Sequence, residues 1–167
     1  MIPSLTKQLI KCNVNFRWLI AGNKTENLLQ EKYIKNNKHL FEIFSEINNI
    51  NEYNFPNKKL IKIYKSSDLY INLARIESFG VTMVEGMASG LPVITFNTKG
   101  ANEIVKNNYN GFVIPNKSII KMAKKIKQIQ NNKKLLSVMR KNCIKYSKKF
   151  TLIKISKKLI KNYQNLN

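Results

Sequence analysis

Apolar and polar positions along this chain fall into two rhythms, short apolar blocks and longer stripes of helical period, and the two alternate. The block Phe16-Arg-Trp-Leu-Ile-Ala-Gly22 ends on glycine and predicts a buried strand whose carboxyl end meets a turn. Thr25 stands at a helix-cap position. Beyond it Leu28, Leu29, Tyr33, Ile34, Leu40, Phe41 and Phe44 form a broken helical stripe, which predicts one helix from Glu26 to about Ile47 with an interruption near Asn36-Asn37. Ile50 to Tyr53 reads as a short strand, Phe55-Pro56-Asn57 as a turn, and Lys58 to Ser66 as a short helix bearing Leu60, Ile61, Ile63 and Tyr64. Asp68 to Ala74 is a further strand. Val81 to Ser89 predicts a helix closed by a left-handed glycine at Gly90, and Leu91 to Phe96 a strand with proline near its start. Ala101 to Lys106 is a short helix, Asn107 to Asn110 a turn, and Gly111 to Pro115 one more strand. After Asn116 the period is helical, first through Ile119, Ile120, Met122, Ala123, Ile126 and Ile129, then through Leu135, Leu136, Met139 and Ile144. Leu152 to Tyr163 makes a last amphipathic segment. Strand and helix in quick alternation predict an α/β fold with a parallel sheet, flanking helices and a helical tail over 117–167 packed on it, residues 1–167 forming one body.

Composition narrows the class. In 167 residues there is room for one core, and 43% apolar content with 4 Pro and 6 Gly is too core-rich for a disordered tail. No stretch reaches the roughly 18 apolar residues a bilayer span needs, and MIPSLTKQLIK lacks the pattern of an export leader, so the expected location is cytoplasmic. Cys12, Cys143 and the single His39 supply neither a disulfide framework nor metal-ligand spacing, which removes zinc sites, Cys-His pairs and Ser-His-Asp triads. The net charge of +21 comes with 27 Lys, 24 Asn and 22 Ile, a joint enrichment that an AT-biased coding sequence produces without selection for binding. Lysines nevertheless crowd the segment after residue 116, and a field of that sign attracts anionic membranes or other polyanions whatever its origin.

The chemistry-bearing residues lie in the middle of the chain. Parallel sheets bind ligands where strand carboxyl ends lead into helix N-termini, and the loop Ala74-Arg-Ile-Glu-Ser-Phe-Gly80 is at such a place. A glycine at the start of the following helix lets main-chain amides of the first turn approach a phosphate, aided by the helix dipole. Glu85 lies five residues on, and the backward tilt of helical side chains lets its carboxylate reach the same cleft to accept hydrogen bonds from paired hydroxyls such as a ribose diol. Glu77, on the loop, offers the same for a second polyol. Against this, eight Glu make such a spacing common by chance, Phe79 suits a core, and Gly80, Gly86 and Gly90 also suit close packing. The pair also admits a hydrolase reading, which needs carboxyl groups about 5 to 9.5 Å apart across a scissile bond.

The whole run Glu77-Ser-Phe-Gly-Val-Thr-Met-Val-Glu85-Gly-Met-Ala-Ser-Gly-Leu-Pro-Val-Ile94, then Lys99-Gly100, Asn102-Glu103-Ile-Val and Asn110-Gly-Phe-Val-Ile-Pro115, resembles the C-terminal donor-binding domain of the family 4, group 1 retaining glycosyltransferases, which have two Rossmann-like domains in the GT-B arrangement. The resemblance is strongest over 68–115. It implies a Rossmann-like donor domain that serves transfer of a sugar from a nucleotide diphosphate to an acceptor hydroxyl with retention, in polysaccharide or glycolipid synthesis. It implies that Glu77 binds the donor sugar and Glu85 the nucleotide ribose, these two being the catalytic candidates. Ser78, Phe79, Gly80, Val81 and Thr82 would supply the loop and its amides, Gly22 the nucleotide edge, and Lys99 and Gly100 a second cleft-facing loop. No metal or other cofactor is implied. The family pattern also contains a Gly-Arg strand and a downstream Lys that hold the diphosphate, a second nucleotide glycine where Lys24 stands, a serine where Ala74 stands, and an N-terminal acceptor domain. Their absence leads us to expect a separate acceptor-domain subunit, a fragment or an inactive relative. The alternative function is a noncatalytic basic module that binds polyanions through the lysine-rich tail, either anionic membrane at the inner face or, less expected, nucleic acid.

Overall fold

A computed structural model describes residues 1–22, 24–45 and 57–164. Among the described residues five short strands, β1 Trp18–Ala21, β2 Phe41–Phe44, β3 Tyr70–Asn72, β4 Val93–Phe96 and β5 Gly111–Ile114, all pair in parallel. They make two sheets, β1-β2 and β3-β4-β5, with β4 central in the second. Its side chains alternate between faces, as strand geometry requires. Ile94 and Phe96 join Leu5, Leu9, Phe112, Ile114, Met122, Ile126 and Ile129 in one core, and Val93 joins Met83, Met87, Ala101, Ile104 and Cys143 in the other. Burial on both faces explains why Leu91 to Phe96 reads as a nearly continuous apolar run. A side chain such as Phe96, wholly buried, contributes about 2 to 3 kcal/mol to this packing.

The helices follow the apolar stripes with two departures. The expected helix from Glu26 to Ile47 is instead short turns of helix over 25–30 and 38–40, helix α2 at Lys32–Asn36, and then strand β2. The Phe-Glu-Ile-Phe run of β2 is aromatic and β-branched, and pairing it with β1 satisfies backbone groups of Trp18–Ala21 that a helix would leave open. The second departure is helix α1, Ile2–Lys11, which has Pro3 in its first turn and buries Leu5 and Leu9 one turn apart. It packs on α6, Ile119–Gln130, where Gln130 exchanges hydrogen bonds with the main chain of Asn15. The expected strand over 50–53 and nearly all of the turn after it lie outside the described residues.

Helix α3, Lys58–Ser66, is capped by the Asn57 side chain on Lys59 and Leu60. Helix α4, Val81–Ala88, ends as expected at Gly90, whose φ of +84° is left-handed. After β4 come α5, Lys99–Ile104, and β5, where a Cβ on Gly111 would lie 2.0 Å from the Val93 carbonyl oxygen. The tail consists of α6, α7 (Lys133–Ser147), which packs on α4, and α8 (Leu152–Gln164). Among the described residues no helix is long and apolar enough to cross a membrane.

Candidate functional site

Strands β3 and β4 are neighbours, so the loops leaving their carboxyl ends run side by side. Asn72 closes β3. Its side-chain oxygen accepts from the Ala74 amide at 2.9 Å, turning the chain, while its nitrogen donates to Glu77 Oε2 at 3.3 Å. From the β4 side, the Gly100 amide donates to the Glu77 carbonyl at 3.1 Å. Contact there is so close that a Cβ on Gly100 would stand 2.7 Å from the carbonyl carbon and oxygen of Ser78 and 2.8 Å from the Phe79 nitrogen. The fold thus brings the loop 77–80 and Gly100 together. Lys99, the first residue of α5, has an exposed side chain.

Gly80 is the N-terminal cap of α4 with φ +90°, and among the described residues no side chain caps the helix there. The Glu77 side chain lies across this glycine, its Cγ and Cδ 3.3 and 3.4 Å from where a Cβ would be, and Met83 fills the remaining space. Gly80 is therefore buried. The open edge of the turn is Ser78 and Val81-Thr82, which are exposed, while the Met83 amide of the same turn already donates to the Gly80 carbonyl at 3.0 Å.

Glu85, half-buried in α4, accepts a 3.0 Å hydrogen bond on Oε2 from the hydroxyl of Tyr64, a residue of α3 that is 8% exposed. The Tyr64 ring meets that of Tyr70 at 6.2 Å between centroids, and the Tyr70 hydroxyl donates to Thr82 Oγ1 at 2.8 Å. Gly86 makes room for the Tyr70 ring, since a Cβ there would come within 3.2 Å of it. Burial, reinforced by the Glu85 carboxylate, pushes the Tyr64 phenol well above the ordinary tyrosine value. Burial also raises Tyr70; the Thr82 hydrogen bond offsets part of this, and the charges of Glu85 and Glu77 add to it. Both phenols thus remain donors at neutral pH. Hydrogen bonds and ring packing link Glu85 through Tyr64 and Tyr70 to Thr82.

Gly22 and Phe79 make other contacts. Gly22 ends β1 in the other sheet, with its amide on the Phe44 carbonyl at 3.1 Å. Among the described residues no hydrogen bond joins it to the Glu77 and Glu85 cluster. Phe79 turns its ring onto Phe150, 5.8 Å away and edge to face, so only its backbone faces the loop. Tyr64, Tyr70 and Asn72 were not among the candidates. A polar Asn72 ending an apolar strand was the available signal, whereas both tyrosines read as ordinary apolar positions. Among the described residues no three His, Cys, Asp or Glu side chains gather to hold a metal. Two open hollows lie elsewhere, one of about 480 Å³ between Phe112 to Pro115 and the lysines of α6, the other of about 540 Å³ lined by Tyr109, Tyr146 and Lys106, Lys145, Lys148, Lys149 and Lys154.

Comparison with known proteins places this geometry. Residues 2–150 match the family described as glycosyl transferases group 1. Over 59 residues the chain is 37% identical to the GtfA subunit of a UDP-N-acetylglucosamine–peptide N-acetylglucosaminyltransferase from Streptococcus agalactiae, covering 35% of this chain and 12% of that protein. Over 72 residues it is 36% identical to a poly(ribitol-phosphate) alpha-N-acetylglucosaminyltransferase of Staphylococcus aureus, 42% of this chain and 15% of the relative. The crystal structure of the pneumococcal O-GlcNAc transferase GtfA, solved with UDP and GlcNAc, superposes with a TM-score of 0.76 at 22% identity over 98% of this chain and 32% of that one. These matches thus span well under half the length of each of these proteins. The parallel fold is that of the GT-B glycosyltransferases, and the chain belongs to the group 1 glycosyl transferases.

Proposed function

We propose that residues 1–167 form a single Rossmann-like donor-binding domain, with the tail 117–167 packed on it, that presents a nucleotide-diphosphate sugar for transfer to an acceptor hydroxyl with retained configuration. The observation that carries this reading is that α4 and its preceding loop hold both carboxylates in place, Glu77 by Asn72 across Gly80 and Glu85 by Tyr64, with Thr82 on Tyr70 between them. The Glu85 carboxylate takes ribose hydroxyls and Glu77 takes hydroxyls of the sugar. Main-chain amides of the exposed Ser78, Val81 and Thr82, with the helix dipole behind them, receive the diphosphate and stabilise it as it departs. Positioning and electrostatics do the work, so neither glutamate serves as a general base. The scheme places no metal, because the amides supply the positive end. Family membership and the N-acetylglucosamine named for both relatives support a hexosyl donor in polysaccharide or glycoprotein synthesis. The acceptor is read by a further domain, on the same or a separate polypeptide.

The test is ligand-observed NMR and thermal shift with UDP, GDP and ADP sugars. Glu85→Ala is expected to weaken bare nucleotide by about tenfold or more, the worth of one hydrogen bond to a charged group, and Glu77→Ala to weaken only the sugar-dependent part. Indifference of the wild type to every donor, or equal loss of bare nucleotide in both variants, contradicts the assignment. The lysine-lined hollow at Lys145 to Lys154 favours a second reading, a basic module that holds polyanions or the inner face of an anionic membrane. Salt-sensitive co-sedimentation with anionic vesicles, unchanged in both glutamate variants, supports that reading instead, and its absence removes it.

A further inference from the structure

Glu85 has two carboxylate oxygens with different surroundings. Oε2 is taken by the Tyr64 hydroxyl, and among the described residues Oε1 takes no hydrogen bond. The phenol reaches across from α3, 21 residues away in sequence, and its position is fixed from three sides. Tyr64 is buried in α3, its ring leans at 49° on Tyr70, and Tyr70 in turn lies on the bare backbone of Gly86, the residue after Glu85. A glutamate on a helix surface ordinarily samples many rotamers, and ordering it costs free energy. Here the Tyr64 hydroxyl and the rings packed behind it hold the carboxylate in one place.

We infer that Tyr64 is a positioning residue for Glu85: its phenol occupies one carboxylate oxygen and turns the other toward the ribose, so that Tyr64 sets the preference of the site for ribonucleotides over deoxyribonucleotides. The inference rests on the proposed role of Glu85 as ribose acceptor. It adds that recognition of the diol is set from α3, a helix outside the Glu77 to Pro115 run. A preordered acceptor gains the full hydrogen bond to a hydroxyl, whereas a mobile one gives part of it back in ordering. Loss of the phenol therefore lowers the value of the ribose hydroxyl more than it lowers binding of the diphosphate.

The test is calorimetric titration of the 167-residue chain with UDP, GDP and ADP and with the 2′-deoxy counterpart of each, reading the affinity ratio for the base that binds best. For the wild type the ribo to deoxy ratio is expected at about tenfold or more, and for Tyr64→Phe at about two- to threefold. A general loosening of the fold lowers both affinities together and leaves the ratio in place. In a Glu85→Ala background, where the acceptor is gone, Tyr64→Phe should leave the ratio unchanged. A wild type that binds nucleotide but does not discriminate ribose defeats the Glu85 reading and this inference with it. A wild-type ratio that survives in Tyr64→Phe overturns the role of Tyr64 alone.

Discussion

Replacing Gly100 with alanine tests the close seating of α5 against the loop 77–80. The added methyl carbon would stand 2.7 Å from two main-chain atoms of Ser78, where ordinary contact begins at 3.4 Å, so loop and helix must separate by about 0.7 Å. Neither side yields easily, because the obstacle is backbone, and the separation also strains the 3.1 Å bond from the Gly100 amide to the Glu77 carbonyl. Overpacking of this kind costs about 1 to 3 kcal/mol, and a weakened hydrogen bond adds about 1 kcal/mol. Alanine's better helix propensity returns about 1 kcal/mol, leaving a net loss of about 1 to 3 kcal/mol. For a chain of 167 residues that is a fall in melting temperature of roughly 5 °C, read by differential scanning fluorimetry. Since the displaced segment carries Glu77, the sugar-dependent part of donor affinity should fall further than affinity for bare nucleotide. An unchanged melting temperature together with unchanged sugar affinity would refute the close approach and its role in holding the loop.

Two further outcomes follow from single side chains. Asn72→Ala removes a buried side chain that ties Glu77 to the Ala74 amide; unfolding in urea should show a loss of about 1 to 3 kcal/mol, and sugar affinity should drop with it. Burial pushes the Cys143 thiol from its ordinary 9.0 up to about 12, so in the folded chain it stays protonated and resists alkylation near pH 8 while the half-buried Cys12 reacts. The sign follows: the folded form keeps a proton that the unfolded form releases, so stability is unaffected below pH 9.0 and declines as pH rises toward about 12. Equal labelling of both thiols in the native chain would contradict the burial of Cys143.

The legible parts of the fold were those with a local cause. The strand over Val93–Phe96 announced itself because both of its faces are buried, and α4 was bounded by a glycine that adopts the left-handed conformation its position requires. What escaped was decided at a distance. Phe41–Phe44 carries a stripe compatible with a helix, and only its pairing with Trp18–Ala21 makes it a strand. In α1, Leu5 and Leu9 hold the spacing of a helix face, but a ten-residue segment gains its stability from packing on α6. The site divides the same way. Glu77, Gly80 and Glu85 stand out by their order along one continuous run, whereas Tyr64 and Asn72 matter through contacts made only after folding, and nothing in the apolar face of α3 marks one tyrosine as a hydrogen-bond donor.

The most direct measurement is an amide-resolved footprint, the ¹H–¹⁵N spectrum of the chain titrated with a nucleotide-diphosphate sugar. The proposed donor site places the largest shifts at Ser78, Phe79, Gly80, Val81, Thr82 and Glu85, with Tyr64 responding beside them. Shifts confined to the lysine-lined hollow around Lys145, Lys148, Lys149 and Lys154 would show that the chain binds charge and not a donor.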